Sequence, residues 1–306
     1  IPNFKFSIAN GTNTGEIISN ALGNYTMPLA SGTYNITPLL ENATYFNVSP
    51  ATLTAVFPND VSPFTQNFCI TPNGIHNDLE IKVIPADNAR PGFDSSYKIS
   101  YKNKGTQSQS GTISFTFDDA VLDFVNANPT VSSQAINTLN WNFTALQPFE
   151  TREITVTLNV NSPMEIPPVN GDDILNYSLS VNSLLTDETP TDNLFNLNQT
   201  VVNSFDPNDK TCLEGSTITP EMVGKELHYM IRFENTGTAN AENIVVKDMI
   251  DTTKFDINSL IPIDGSHPFI TKISNTNKVE FIFENIQLPF DDANNDGYVA
   301  FKIKTK

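Results

Sequence analysis

A short pattern occurs twice in this sequence, as YKISYKNKGT at 97–106 and as YMIRFENTGT at 229–238, displaced by 132 positions (229 − 97). Apolar and polar residues alternate through each copy, which predicts a strand with one buried face. A turn then follows at Asn103 and Gly105, because Asn and Gly tolerate positive φ. The chain therefore contains at least two copies of one β unit.

The composition indicates an all-β chain. A hydrophobic fraction of 39% with 21 Phe is too high for disorder, and the charged fraction is only 17%. No stretch shows a helical period longer than two turns, and the abundance of Asn, Thr, Ser and Pro suits exposed strand faces and turns. With room for two or three domains in 306 residues, we expect tandem immunoglobulin-like β-sandwich domains in an elongated arrangement.

The charge balance limits the partners. Seventeen Lys and Arg against 34 Asp and Glu give a formal charge of −17, which repels nucleic acid and anionic membrane surfaces. A solvated acidic surface and an affinity for calcium are both compatible with this charge. No apolar run reaches about 18 residues, so nothing is expected to span a membrane. The start at Ile1-Pro2, without Met, indicates a mature form or an excised fragment, and Cys69 and Cys212 are expected to be two buried thiols.

Residues 1–70 differ from the rest of the chain. Alternating Phe4, Phe6 and Ile8 predict a first strand, and a turn at Ala30-Ser31-Gly32 predicts a hairpin. The phrase Gly-Asn-Tyr at 23–25, followed by Ser-Gly-Thr-Tyr at 31–34, resembles small prealbumin-like domains related to carboxypeptidase regulatory modules. That resemblance implies a structural sandwich without chemistry of its own.

Residues 71–204 hold the first copy of the repeat. Seven or more short alternating segments separated by turn signals are typical of an immunoglobulin-like sandwich. Trp141 is the only tryptophan and lies on an apolar strand face. We predict that it packs in the core, with an exposed platform for stacking sugars as the alternative.

Residues 205–306 hold the second copy. Ile244 and Val246 match Ile113 and Phe115, and two further runs match in register: Val279, Phe281, Phe283 and Ile286 with Leu139, Trp141, Phe143 and Leu146; Val299, Phe301 and Ile303 with Ile154, Val156 and Leu158. The copy has no counterparts of the last strands expected in 71–204. It is therefore a smaller sandwich, a truncated one, or one whose open sheet edge is completed by another strand.

One hairpin of the second copy is acidic and matches half of a calcium loop. Asp292, Asn294, Asp296 and Gly297 follow the pattern Asp-x-Asn-x-Asp-Gly, with Asp291 directly before them. The Glu expected at the twelfth loop position is missing, and so are flanking helices. Two interpretations stay open, a solvated acidic hairpin and a modest calcium site formed by Asp291, Asp292, Asn294 and Asp296; such a site would stiffen the hairpin.

The junction between the repeats carries the most specific resemblance. Ser204 to Lys210 reads SFDPNDK, and together with the pattern at 229–239 it is similar to an immunoglobulin-like repeat domain of large secreted surface proteins in the Bacteroidota. Related repeats occur in many bacterial cell-surface proteins. Members commonly carry this domain before a C-terminal sorting domain for type IX secretion, and no such sorting domain is present in these residues.

No catalytic constellation is evident. The histidines, His76, His228 and His267, lie outside any nucleophile or metal-ligand motif, and His228 is expected at a surface or strand end. The acid pairs at 118–119 and 172–173 fall in predicted turns or strand ends. We therefore predict that the protein is not an enzyme. An autonomous hydrolase is a third class of function, and convergent acid pairs in a deep cleft would support it.

The sequence thus favours a non-catalytic structural or adhesive region of a secreted or surface-anchored bacterial protein, acting as a stalk or presenting module. Its partners would be other domains of a longer surface protein, with a cell-surface or polysaccharide ligand as a further option. The alternative is a calcium-assisted polysaccharide-binding module appended to a secreted enzyme. Aromatic side chains clustered on an exposed sheet face would favour the alternative, and inward-pointing ones the stalk.

Overall fold

A computed structural model describes residues 1–11, 13–20, 22–202, 208–237, 239–274, 277–291 and 294–306. Strands dominate these ranges, and the helical structure in them is a single 3₁₀ turn at Pro220–Met222. Within the same residues, no helix has both the length and the apolar character needed to cross a bilayer. The predicted all-β class is confirmed.

Twenty-two strands are found in the described part of the chain. The first six are β1 Lys5–Asn10, β2 Asn13–Ile18, β3 Gly32–Leu39, β4 Phe46–Ser49, β5 Leu53–Phe57 and β6 Cys69–Pro72. The next ten are β7 Leu79–Pro85, β8 Asp94–Asn103, β9 Gln109–Thr116, β10 Leu122–Asn128, β11 Ser133–Ala135, β12 Thr138–Leu146, β13 Thr151–Val160, β14 Ile174–Ser183, β15 Leu194–Thr200 and β16 Lys210–Cys212. The last six are β17 Glu226–Glu234, β18 Ile244–Met249, β19 Phe255–Gly265, β20 Ile270–Ser274, β21 Lys278–Phe283 and β22 Asp296–Thr305.

These strands form two compact units. The middle unit comprises Ile75–Ile218, and the discontinuous unit comprises Ile1–Gly74 together with Thr219–Lys306. The sequence analysis placed 1–70 and 205–306 in separate domains, with a third domain at 71–204 between them, and gave no reason to expect them together. They share a unit because β2 pairs antiparallel with β20, with Glu16 opposite Ile273 and Ile17 opposite Lys272.

The middle unit is an immunoglobulin-like sandwich. One sheet has the order β10-β13-β8-β7, and the facing sheet has the order β11-β12-β9-β14-β15. Aromatic side chains from both sheets fill the space between them: the rings of Tyr97 and Tyr177 lie 4.8 Å apart, and Phe115 stacks on Tyr177 at 5.7 Å. Trp141 is 3% exposed and donates its indole N–H to the carbonyl of Pro129 at 2.9 Å, which confirms its predicted place in the core.

The discontinuous unit is built on a seven-stranded sheet with the order β18-β21-β20-β2-β1-β3-β5. A second sheet contains β17, β22 and β19 in that order and packs Phe301 against Phe281, with ring centroids 5.5 Å apart. A separate small core around Phe4, Phe6 and Ile36 lies under the N-terminal strands. One local prediction was wrong there: Gly32 does not close a hairpin with the preceding residues but begins β3, which pairs with β1 and β5.

Strand pairing confirms most of the predicted repeat. Ile154 lies opposite Ile99 in the middle unit, and Val299 lies opposite Ile231 in the discontinuous unit, as the predicted matches require. The match of β18 with β9 was two positions out. Trp141 lies opposite Ile113, whereas its counterpart Phe281 lies opposite Val246, so Val246 and not Ile244 corresponds to Ile113.

Candidate functional site

The repeated signature ends in a hydrogen-bonded clamp. The side chain of Asn103 is fully buried, and its amide donates to the carbonyl oxygens of Gln107 at 2.7 Å and Leu146 at 2.8 Å. Its Oδ1 accepts the backbone N–H of Gly105 at 3.0 Å. One side chain thereby satisfies three backbone groups of the turn and of the strand end beside it.

The second copy reproduces this clamp atom for atom. The amide of Asn235 donates to the carbonyl oxygens of Ala239 and Leu288, both at 2.9 Å, and its Oδ1 accepts the N–H of Gly237 at 3.0 Å. Leu288, and not the predicted Ile286, is thus the counterpart of Leu146. The signature that dominates the sequence is a structural device and leaves its polar atoms engaged within the fold.

The hairpin predicted to bind calcium is closed by its own amides. Asn294 donates its backbone N–H to the carbonyl of Asp291 at 3.0 Å and its side-chain amide to Asp291 Oδ1 at 2.9 Å. Asp291, Asn294 and Asp296 are exposed, and Asp292 lies outside the described residues. Asp296 occupies the strand position opposite Glu234 at the hairpin end. Calcium binding here stays a prediction.

Sequence reasoning missed a buried neighbour of this hairpin. Asn295 is 2% exposed and donates its side-chain amide to Glu234 Oε1 at 2.6 Å, while its carbonyl accepts the N–H of Asn235 at 2.9 Å. It therefore ties the acidic hairpin to the Asn235 clamp. The only signal in the sequence is the Asn-Asn pair at 294–295, which does not tell which residue points inward.

An acidic cluster that the sequence did not reveal lies in the middle unit. Carboxylate oxygens of Asp78, Asp187 and Asp192 all lie within 4.8 Å of one another. The ammonium group of Lys104, one residue past the clamp, pairs with Asp192 and lies 3.6 Å from Asp78 Oδ1. Because Asp78 is distant in sequence from Asp187 and Asp192, and the spacing of those two matches no ligand motif, no sequence motif could have found the cluster.

This cluster acts as an internal ion-paired network. Asp187 uses both carboxylate oxygens on backbone N–H groups, those of Leu79 at 2.8 Å and Thr189 at 2.7 Å. Burial raises the pKa of Asp192 to about 7, against the opposing effect of Lys104. Since an ammonium group already lies among the carboxylates, the arrangement is that of a structural network joining β7 to the loop before β15.

The histidines and cysteines do not converge on a reactive centre among the described residues. His76 lies 3.0 Å from Glu188 as an ion-pair partner, and His267 contacts the hydroxyl of Ser266 at 3.0 Å. His228 is 8% exposed, so of the two predicted positions the surface was wrong, and the residue lies near the start of β17. The predicted burial of both thiols was wrong: Cys69 is exposed in the two-stranded sheet of β4 and β6, and Cys212 is half-buried with its Sγ donating to Glu214 Oε2 at 3.3 Å.

Exposed aromatic side chains do not line one sheet face in the described structure. The most exposed rings are Phe64, Phe93 and Phe290, at 40%, 56% and 50%, and they lie in three different loops. The guanidinium of Arg90 lies 4.8 Å from the ring centroid of Phe93. The clustering of rings that would favour the sugar-binding alternative is therefore not seen among the described residues, but these three rings do not point inward either.

A cavity of about 710 Å³ opens in the N-terminal part of the discontinuous unit. Apolar residues such as Met27, Leu53 and Phe64 form most of its lining, and Asp60 is the only carboxylate among the described lining residues. Asp60 accepts the backbone N–H of Val56 at 2.6 Å, so it is engaged in the local turn. The cavity offers no pair of groups suited to acid–base or nucleophilic catalysis.

The comparisons with known proteins characterise only part of the chain. Residues 206–306 match a family described as a domain of unknown function, DUF7619. None of the curated protein sequences is similar enough to count as a relative.

Two solved structures are distantly similar. A red sea bream transglutaminase shares 9% identity with a TM-score of 0.25; the match covers 74% of this chain but only 27% of that enzyme. The full-length major pilin SpaD of Corynebacterium diphtheriae shares 10% identity with a TM-score of 0.23, covering 94% of this chain and 79% of the pilin. At these scores neither likeness bears on function.

Proposed function

We propose that this chain is a non-catalytic structural and adhesive region of a secreted or surface-anchored bacterial protein, where it acts as a stalk or presents a neighbouring module. The observation that carries the proposal is the use of the two signature turns as internal clamps by Asn103 and Asn235. The asparagine shared by the two copies of the repeat therefore stabilises the fold. A strongly acidic surface and cores filled with aromatic rings suit a solvated, stable spacer.

The finer setting rests on the resemblance of the junction SFDPNDK to repeat domains of Bacteroidota surface proteins, which points to export by type IX secretion. Most of that junction lies outside the described residues. Its partners would then be the other domains of a longer surface protein.

Surface labelling tests this proposal. Antibodies raised against the purified chain are applied to intact cells of the bacterium that produces it, with an antibody against a cytoplasmic protein as control. We expect labelling of intact cells that is removed by external protease. Labelling that requires permeabilised cells would contradict a surface location, and turnover of polysaccharide, ester or peptide substrates by the purified chain would contradict the non-catalytic role.

A calcium-assisted polysaccharide-binding module is the second candidate. Phe290 is 50% exposed and directly precedes Asp291, so an exposed ring lies beside the acidic hairpin. Glu234, opposite Asp296 in the strand pairing, adds a further carboxylate at the hairpin end, and carboxylate oxygens are ligands that calcium prefers.

Calorimetric titration with polysaccharides, in calcium and in chelator, separates the two candidates. The second candidate requires binding that disappears in chelator, in Phe290→Ala and in Asp296→Asn. Phe93→Ala, which removes an equally exposed ring from the other unit, is the matched control. An absence of binding under every condition leaves the stalk as the better explanation, and thermal melts that are identical in calcium and chelator exclude the ion.

A further inference from the structure

The two sandwiches differ at one sheet edge. In the middle unit β9 lies between β12 and β14, and β14 is followed in the sheet by β15. In the discontinuous unit its counterpart β18 is paired with β21 and is the last strand of the sheet as described. The opposite end of this sheet is already extended, since β20 pairs with β2. Among the described strands of the second repeat in this sheet, β18 is therefore the one at an edge, and the far end of the sheet is the N-terminal strand β5.

The core beside this edge is correspondingly less covered. Tyr97 and Ile99 of the middle unit are both 0% exposed. Their counterparts Tyr229 and Ile231, fixed by the shared register, are only half-buried at the margin of the core. Val246 is likewise only half-buried, whereas its counterpart Ile113 is fully buried.

The covering strands account for this difference. The hydroxyl of Tyr97 hydrogen-bonds to Tyr177 of β14 and to Gln199 Oε1 of β15, the latter at 2.8 Å. Ser178–Ser183 of β14 pair with β9 over its length. The inward residues of β14, such as Leu179 and Val181, are at most 1% exposed. They belong to the core that covers Tyr97, whereas its counterpart Tyr229 is only half-buried.

We propose that the β18 edge is a docking site for an antiparallel strand pair of a polypeptide partner with the chemistry of β14 and β15. The first strand has apolar residues at alternate positions, with a tyrosine that reaches Tyr229. The internal repeat supplies the argument, because it shows which kind of segment this fold takes at this edge. Strand addition provides ladder hydrogen bonds, and the apolar alternation provides the specificity. The inference is independent of a surface location.

A fusion on the full chain tests the proposal. Residues 162–202, which carry β14 and β15, are appended after Lys306, because Lys306 corresponds to Asn161 at the offset that relates β22 to β13. Tethering raises the local concentration of the strand pair. We expect hydrogen exchange at β18 amides to slow by at least about tenfold, and the melting temperature of the discontinuous unit to rise.

A matched fusion distinguishes docking from the effects of added mass. In the appended copy alone, the residues corresponding to Tyr177 and Leu179 become Asp, which keeps the length and removes the apolar face. We expect no protection of β18 from this fusion. Equal exchange at β18 in the unfused chain and in the first fusion overturns the proposal, as does equal protection by both fusions.

A variant of the edge itself provides a second measurement. Successive residues of a strand direct their N–H groups to opposite sides, so one of Val245→Pro and Val246→Pro spares the ladder with β21. The variant that keeps the native melting temperature is combined with the first fusion. Loss of the β18 protection supports docking at this edge, and unchanged protection overturns it.

Discussion

The ammonium group of Lys302 lies 2.7 Å from Glu41 Oε1 and 3.1 Å from Glu226 Oε2. Lys302 belongs to β22 and its side chain is 2% exposed, whereas Glu41 follows β3 in the N-terminal part of the chain. This buried cation therefore links the two sequence-distant segments of the discontinuous unit, in addition to the pairing of β2 with β20.

Replacing this cation should destabilise the discontinuous unit. In Lys302→Met the carboxylates of Glu41 and Glu226 lose their common cationic partner. We expect the free energy of unfolding to fall by about 2–3 kcal/mol, and not more, because both glutamates retain some solvent exposure. Urea denaturation measures the loss. Lys254→Met is the control, because Lys254 is 75% exposed and pairs with Asp251 at 3.6 Å; it should cost less than about 0.5 kcal/mol. Equal effects of the two variants would refute the link.

The paired clamps make a second prediction. Asn103→Asp keeps the shape of the side chain but removes both amide donors and places a carboxylate against two carbonyl oxygens. We expect a loss of about 2–4 kcal/mol from the middle unit. Asn235→Asp should destabilise the discontinuous unit by less, because Asn235 is only half-buried. Hydrogen exchange, measured separately for the amides of each unit, checks both predictions. A destabilisation that is not confined to the unit carrying the substitution would contradict the role of the clamp.

Gly105 lies in a tight contact that a methyl group would disrupt. A Cβ at this position would lie 2.4 Å from the carbonyl oxygen of His76 and 2.8 Å from the amide nitrogen of Asp78. Because backbone atoms cannot move aside easily, Gly105→Ala should cost about 2–4 kcal/mol in thermal or urea unfolding. Gly15→Ala, where the Cβ meets no atom within 4 Å, should leave stability nearly unchanged. Comparable losses in the two variants would be inconsistent with this packing.

The buried carboxyl of Asp192 predicts a dependence of stability on pH. Its pKa is about 7 in the folded protein, raised from 3.8 chiefly by burial. Between these two values the folded state holds a proton that the unfolded state has released. The unfolding free energy therefore falls as pH rises from about 4 to 7, by roughly 2–4 kcal/mol, and is level above that range.

Asp192→Asn should remove this component. The difference in unfolding free energy between the parent and the variant is measured at pH 4, 5.5 and 8, so that contributions from other groups cancel. Asp119→Asn, which changes an exposed turn residue, is the control and should preserve the parent's profile. A parent-minus-variant difference that does not change with pH would show that Asp192 titrates normally.

Local patterns were enough to predict the strands and most of the repeat. Alternation around Tyr97 and Tyr229 identified the two central strands, and the constant offset identified Val299 as the counterpart of Ile154. These features depend on residues that are near one another in sequence. The irregular bonding at the end of β12, between Phe143 and Leu146, is where the predicted match of Ile286 failed.

Contacts between distant segments were not predictable in the same way. The local sequence pattern gives no signal for the two-residue pairing of β2 with β20. It gives none for the contact between Lys302 and Glu41 either. The network of Lys104 with Asp78 and Asp192 likewise forms only once the loops are placed by the sandwich. Polar residues that look solvated in sequence can thus be buried partners across the fold.

The pairing of β2 with β20 also constrains the order in which the protein can fold during synthesis. Glu16 and Ile17 leave the ribosome long before Ile273 and Lys272, so the N-terminal strands must wait for their last neighbour while the whole middle unit is made. Strands β7 to β15 form sheets only with one another in the described structure, so this part of the middle unit can fold first. Until synthesis passes residue 274, β2 is an unpaired edge that a chaperone or a neighbouring chain could occupy.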